Sequence, residues 1–301
     1  MTDEADNQRR WLTSAPSWVA LAKATLTRAR SLFWLLRTHR QQSENGVRIL
    51  FYHRVCDEPD ALAVKVSRFR KQMDLLAREG YRVVDIERAV TMLESGDSDG
   101  RVIALSFDDG YRDVAENALP ILVERGFTAT VFVATGVVDG TASFTWYVQQ
   151  PPLLGWDEIE ELDGQATLRF EAHSVTHPNL RALDTTELWS EVADSKLDLE
   201  RHLGRQSLVF CYPAGLLGAR ERDAVEKAGF RMAVTCEPGV NRRDSDRLAL
   251  HRIPIEAHDR MLDFRAKIGG GHDTSPVTRN LYRRLRHGRE GTIPRAASKD
   301  E

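Results

Sequence analysis

From Val47 onward, short β-type runs rich in Val, Ile, Leu and Phe alternate with amphipathic stretches of helical period. That alternation specifies parallel strands covered by helices. The runs Arg48 to His53, Tyr81 to Val84, Val102 to Phe107, Thr128 to Val133, Thr167 to Ala172, Ser207 to Tyr212 and Arg231 to Thr235 read as strands, and Leu250 to Pro254 as an eighth. Helices are expected near Phe69 to Glu79, Ile86 to Glu94, Asp113 to Arg125, Thr185 to Leu203 and Ala219 to Lys227. The clearest has Asp184 as N-cap, Glu187 completing a capping box and Gly204 as terminator. The pattern predicts an α/β fold, a barrel of seven or eight strands in preference to an open sheet, though periodicity alone does not separate the two. In both, chemistry belongs at the carboxyl ends of the strands.

Ahead of this region, Ser17 to Arg40 reads as a helix with Trp18, Leu21, Ala22, Leu26, Ala29, Leu32, Phe33 and Leu36 on one face, and Lys23, Arg30 and Arg37 recur along its flank. No uncharged apolar run reaches the roughly 18 to 20 residues that span a bilayer, and the acidic start does not resemble a signal peptide. Two readings stand: a helix packed on the domain, or one lying on lipid headgroups, giving membrane-surface contact through residues 17–40. After Gly269 the chain becomes basic, with Arg279, Arg283, Arg284 and Arg286. The expected organisation is an N-terminal extension (1–46), a catalytic domain (47–269) and a flexible basic tail (270–301).

Composition narrows the partners more than the fold. A net charge of -3 over 301 residues carries no nucleic-acid footprint, which needs an excess of Lys and Arg. Cys56, Cys211 and Cys236 lack the paired spacing of structural zinc sites and read as buried free thiols. The chain is expected in the cytoplasm or at the membrane periphery, with export to the cell envelope as the competing reading.

Three strand ends carry candidate chemistry. Val102 to Phe107 runs into Asp108-Asp109-Gly110; the bland reading is an Asp-Gly turn. Adjacent carboxylates do not flank a bond as a glycosidase pair must. They suit a division of labour in which Asp109 binds a metal while Asp108 takes a proton from water. The strand Thr167 to Ala172 delivers His173-Ser174-Val175-Thr176-His177-Pro178 to the same rim. Two imidazoles four residues apart converge on one ion if the segment makes a helical turn, and they favour one divalent transition metal, zinc first, with cobalt or nickel as alternatives. The third strand ends Phe210-Cys211-Tyr212-Pro213-Ala214-Gly215, a turn that could present the Tyr212 backbone N–H to an oxyanion. Trp146, Tyr147 and Trp156, in and beside the segment Thr141 to Gly155, could stack on sugar rings, although aromatic residues more often serve packing.

In this order and spacing, S-F-D-D-G, H-S-V-T-H-P and F-C-Y-P-A-G resemble the first three motifs of NodB-like polysaccharide deacetylases, carbohydrate esterase family 4. The likeness runs from about Val47 to Gly269. The opening Phe51-Tyr52-His53-Arg54-Val55 is similar to members acting on poly-N-acetylglucosamine or related glycans. The resemblance implies a distorted (β/α) barrel and an N-acetylated glycan substrate. It assigns Asp108 as general base, Asp109, His173 and His177 as metal ligands, and Tyr212 as oxyanion donor. Phe210 stands where many members carry an arginine that tunes the base. For the proton donor there are two candidates, His53 and His258, each with a structural alternative: a histidine bonded within the rim, and a cap of the following helix. Against the deacetylase stand two other readings: a catalytically silent glycan-binding protein that keeps the metal site, and a deacylase of a lipid-linked sugar.

Overall fold

The computed structural model describes residues 17–37, 46–98 and 100–273. Seven parallel strands make a nearly closed barrel: β1 (Arg48–Tyr52), β5 (Val102–Phe107), β6 (Ala129–Val133), β7 (Leu168–Ala172), β8 (Val209–Cys211), β9 (Met232–Val234) and β10 (Arg252–Pro254). Their order is β10-β1-β5-β6-β7-β8-β9, and a parallel bridge from Val234 to Leu250 joins the two ends. The expected barrel is thus the observed one. The short β4 (Arg82–Val84) pairs with the first half of β5, where β6 has not yet begun to pair. One minor parallel pair, β2 (Arg54–Val55) with β3 (Ala63–Val64), was not legible in the pattern.

Strands β5 and β6 are buried at every position, as expected when both faces are covered. Side chains alternate between the faces. Leu50, Leu105, Phe107, Val131, Val133 and Phe170 point outward and pack with helix residues such as Phe69, Met73, Val192 and Phe264. The inward set, including Ile49, Ala104, Phe132, Val209 and Val234, packs with Ile86, Ala89, Val90 and Leu93 of α3, which fill the amino-terminal end of the barrel.

The helices are α1 (Ser17–Arg37), α2 (Val66–Arg78), α3 (Ile86–Ser95), α4 (Leu119–Val123), α5 (Thr135–Val138), α6 (Trp156–Gly164), α7 (Thr185–Leu203), α8 (Ala219–Lys227) and α9 (Met261–Ile268). Helix α7 has the predicted limits because its caps form: the Asp184 carboxylate accepts from the Thr186 and Glu187 amides, and Gly204 closes it at φ 61°. The helix predicted over 113–125 is interrupted. Pro120 has no N–H to give, and the chain makes a π-turn over Val114–Ala118, with Leu119 N–H reaching the Val114 carbonyl, before α4 begins.

Helix α1 packs along α9. The Trp34 ring lies on the backbone of Gly269 and Gly271, where an added Cβ would sit 2.3 and 2.6 Å from it, so only glycine fits there. Beyond α9, Arg30 donates to the Gly271 and Asp273 carbonyls, and Asp273 pairs with Arg48 at 2.7 Å. Of the expected tail, residues 270–273 are held in this way, and the rest lies outside the described residues.

A buried carboxylate ties β7 to β8. Glu171 accepts from the Ser207 hydroxyl and from the Leu208 and Val209 amides at 2.7 to 3.0 Å, and from Arg205 at 3.1 Å. Glu171→Gln should lower unfolding stability by about 1–3 kcal/mol, since the amide nitrogen brings a donor to a site filled with donors. Chemical denaturation checks this, and an unchanged midpoint would refute it.

Candidate active site and metal centre

The carboxyl ends of β5, β7 and β8 place the predicted residues together. By strand parity, Ala104, Ser106 and then Asp108 point into the barrel. The Asp108 amide donates to the Tyr52 carbonyl at 2.9 Å, which extends the β1–β5 pairing to the rim. Asp109 follows at φ 74°, and this left-handed step turns its carboxylate toward the two histidines. Its Oδ1 lies 3.7 Å from His173 Nε2 and 3.9 Å from His177 Nε2. Asp109, His173 and His177 form a cluster whose ligand atoms lie within 4.8 Å of one another.

The histidines converge by a different route from the helical turn expected. Residues 173–177 form an irregular loop, with Ser174 at φ 63° and His177 at φ 58°. Glu191 of α7 holds this loop: its carboxylate accepts from the Val175 and Thr176 amides, both at 2.9 Å, and from the Thr176 hydroxyl at 2.6 Å. The Ser174 hydroxyl accepts from the His177 amide at 3.0 Å. Asp109, Ser174, His177 and Ala214 are four of the five non-glycine residues with positive φ among those described. Such backbone costs about 1–3 kcal/mol per residue and collects where function demands a particular direction.

The electrostatics suit a cation. His173 Nδ1 lies 2.8 Å from the Cys211 carbonyl. A carbonyl only accepts, so this nitrogen carries the proton and Nε2 keeps its lone pair. Burial holds His173 down at about 4, and burial with the neighbouring His173 holds His177 well below its ordinary value. Both are neutral bases near neutral pH. Burial and the adjacent Asp108 push the Asp109 carboxyl well up, and its Oδ1 is buried without a hydrogen-bond partner. A divalent cation among Asp109, His173 and His177 would satisfy that oxygen and offset the cost of burying its charge, so these residues fit the implied metal.

Asp108 is the opposite case. Burial alone would raise its pKa, but Arg252 outweighs this and holds the carboxyl below the ordinary range. The guanidinium of Arg252 donates from Nη1 to Oδ1 at 2.6 Å and from Nη2 to Oδ2 at 2.8 Å. Arg252 is fully buried inside the barrel, 4.3 Å from the Phe51 ring centre, and it also donates to the Thr235 carbonyl and to Cys211 Sγ. The arginine absent at Phe210 thus has a counterpart on β10, which the sequence reading missed. Phe210 instead packs against Tyr212 and Phe230.

Other expectations fare unevenly. The Tyr212 amide, expected to face an oxyanion, donates to the Val234 carbonyl at 3.2 Å, and its hydroxyl donates to the Leu248 carbonyl. That amide belongs to the sheet, and the expectation is corrected. His53 directly follows β1 and is close enough for Asp108 to oppose the lowering of its pKa by burial. His258 faces Glu256 at 3.6 Å and Asp259 at 3.9 Å. Trp146 and Phe144 set their rings against His177, the Tyr147 hydroxyl donates to Asp60, and Trp156 stacks on His202. All three cysteines are free thiols, Cys236 only partly buried.

The sequence profile of the family described as polysaccharide deacetylase matches residues 95–233, a span that contains both aspartates and both histidines. Over that span the chain is similar to polysaccharide deacetylases. YxkH of Bacillus subtilis, assigned by name to polysaccharide deacetylases, is 29% identical over 208 residues, covering 69% of this chain and 70% of that protein. A poly-beta-1,6-N-acetyl-D-glucosamine N-deacetylase of Staphylococcus aureus is 22% identical, covering 73% and 77%. Among solved structures, IcaB from Ammonifex degensii superposes with a TM-score of 0.63 at 21% identity, covering 77% of this chain and 99% of that one. The deacetylase PplD of Streptococcus pyogenes gives 0.63 at 24%, covering 70% and 93%. At these identities the superpositions speak to the fold alone, and that fold is the same nearly closed barrel. Arg252 and His53 lie outside the profile's span.

Proposed function

We propose that the protein removes N-acetyl groups from an N-acetylated amino-sugar glycan by metal-assisted hydrolysis. The observation that carries this reading is the pairing of opposites at one rim: a three-ligand cluster with an orphaned carboxylate oxygen, beside a second aspartate held ionised by Arg252. A divalent transition metal bound by Asp109, His173 and His177 supplies Lewis acidity to an acyl oxygen and acidifies water.

Asp108, ionised across the neutral range, takes the proton from the attacking water. The water oxygen bonds to the acyl carbon, and the carbon–nitrogen bond then breaks. His53 delivers a proton to the departing amine; its place beside Asp108 supports it over His258, whose ring faces Glu256 and Asp259. The oxyanion donor is the amide of Ala214, exposed at the rim, which among the described residues makes no backbone hydrogen bond. Acetate and a free amino sugar result.

Acetate release from N-acetylated glucosamine oligomers tests the proposal. Turnover should disappear after dialysis against a chelator and return with zinc or cobalt. His177→Ala should lose both metal and turnover. Metal-replete protein that releases no acetate from β-1,6- or β-1,4-linked oligomers would favour the silent glycan-binding reading instead.

A further inference from the structure

Helix α1 has two faces with different fates. Ala24, Thr27, Arg28, Ser31, Trp34 and Leu35 turn toward the domain and are partly or fully buried. Opposite them, Leu21, Ala22, Thr25, Leu26, Ala29, Leu32 and Leu36 are exposed; Leu21 is 69%, Leu26 72% and Leu36 85% accessible. At 3.6 residues per turn these positions span about 140° of the circumference. No charged residue interrupts this arc. Its one hydroxyl, on Thr25, donates to the Leu21 carbonyl at 2.8 Å, so no polar group there depends on water.

The chain leaves the described region at the same place. Asp273 is bonded to Arg30 of α1 and to Arg48, and the sixteen residues that follow, 274–289, carry Arg279, Arg283, Arg284, Arg286 and Arg289 and no acid. An exposed apolar helix face in a chain whose sequence also carries a basic run is the pairing of signals that holds a protein on an anionic bilayer. We propose that this face of α1 docks on a membrane surface bearing anionic headgroups, with α1 lying in the interfacial plane and the basic segment supplying the charge. A second copy of the chain is the weaker occupant. The strip from Leu21 to Leu36 is about 24 Å by 10 Å, so a pair of such strips would bury about 500 Å², below the roughly 1,200 Å² of a stable association.

The test uses the full-length protein and vesicles of phosphatidylcholine alone or with phosphatidylglycerol, two parts to one. The protein should float with the mixed vesicles, and partition at least about tenfold less onto neutral ones. Leu26→Glu/Leu32→Glu/Leu36→Glu should lower binding to mixed vesicles at least about tenfold. The substituted side chains are exposed and the docked face is untouched, so thermal unfolding should be unchanged. The single variant Leu36→Glu, at the most exposed position, serves as the readout if the triple variant unfolds. Protein that fails to float, a single or triple variant that floats as well as the parent, equal binding to both vesicles, or a dimer in sedimentation that the substitutions dissolve would each overturn the proposal.

Discussion

Asp108→Asn is expected to keep its metal and lose turnover by about 10²- to 10⁴-fold. Asparagine has nearly the same shape and still accepts a hydrogen bond from Arg252, but it cannot take a proton from water. The ligand cluster of Asp109, His173 and His177 does not include Asp108, so metal content should stay stoichiometric. Elemental analysis beside acetate release separates the two quantities. Activity at the parental level would end the assignment of Asp108 as base, and parallel loss of metal would make it a ligand instead.

Arg252→Gln should act on stability and on the pH profile together. Removing the guanidinium leaves a buried carboxylate without its bidentate partner, a change that costs about 3–5 kcal/mol in buried ion pairs. In the parent, the folded Asp108 carboxyl sits below its ordinary value. Its contribution to stability is therefore present above the ordinary carboxylate range and is lost as pH falls through the depressed folded value. Without Arg252 the burial effect prevails and the carboxyl moves up. The base then protonates at higher pH, so the acid limb of the rate profile should shift upward while the metal remains. Arg252→Lys, which keeps the charge but not the two parallel bonds, should fall between. A variant with reduced stability but an unmoved acid limb would make Arg252 a structural residue only.

The two aspartates were legible from sequence because everything that defines them is local. A strand of unbroken apolar residues ends in Asp108-Asp109, and the rule that chemistry follows the carboxyl ends of parallel strands does the rest. His173 and His177 were legible for the same reason, but the path of their loop was not. A spacing of four suggests a helical turn, whereas Glu191, far along the chain on α7, and the left-handed Ser174 and His177 set the actual course.

Arg252 shows why the rest stayed hidden. Its role depends on β10 pairing with β1, and on register setting residue 252 against Ile49 on the inward side. In the sequence it sits within Leu250 to Pro254, the expected eighth strand, where nothing local marks the face it takes. The available signal was parity: an arginine at an inward position of a barrel strand needs an anion nearby, and Asp108 is the inward residue at the next strand's end but one. The Tyr212 expectation failed on a similar point, because whether an amide is free depends on the neighbouring strand, here the Val234 carbonyl.

Inward side chains and α3 fill the barrel below the rim, and Arg252 lies fully buried under Asp108. Packed protein therefore backs the reacting groups, and under the proposed hydrolysis both products leave on the side from which the glycan arrives. Added acetate should then compete with incoming substrate.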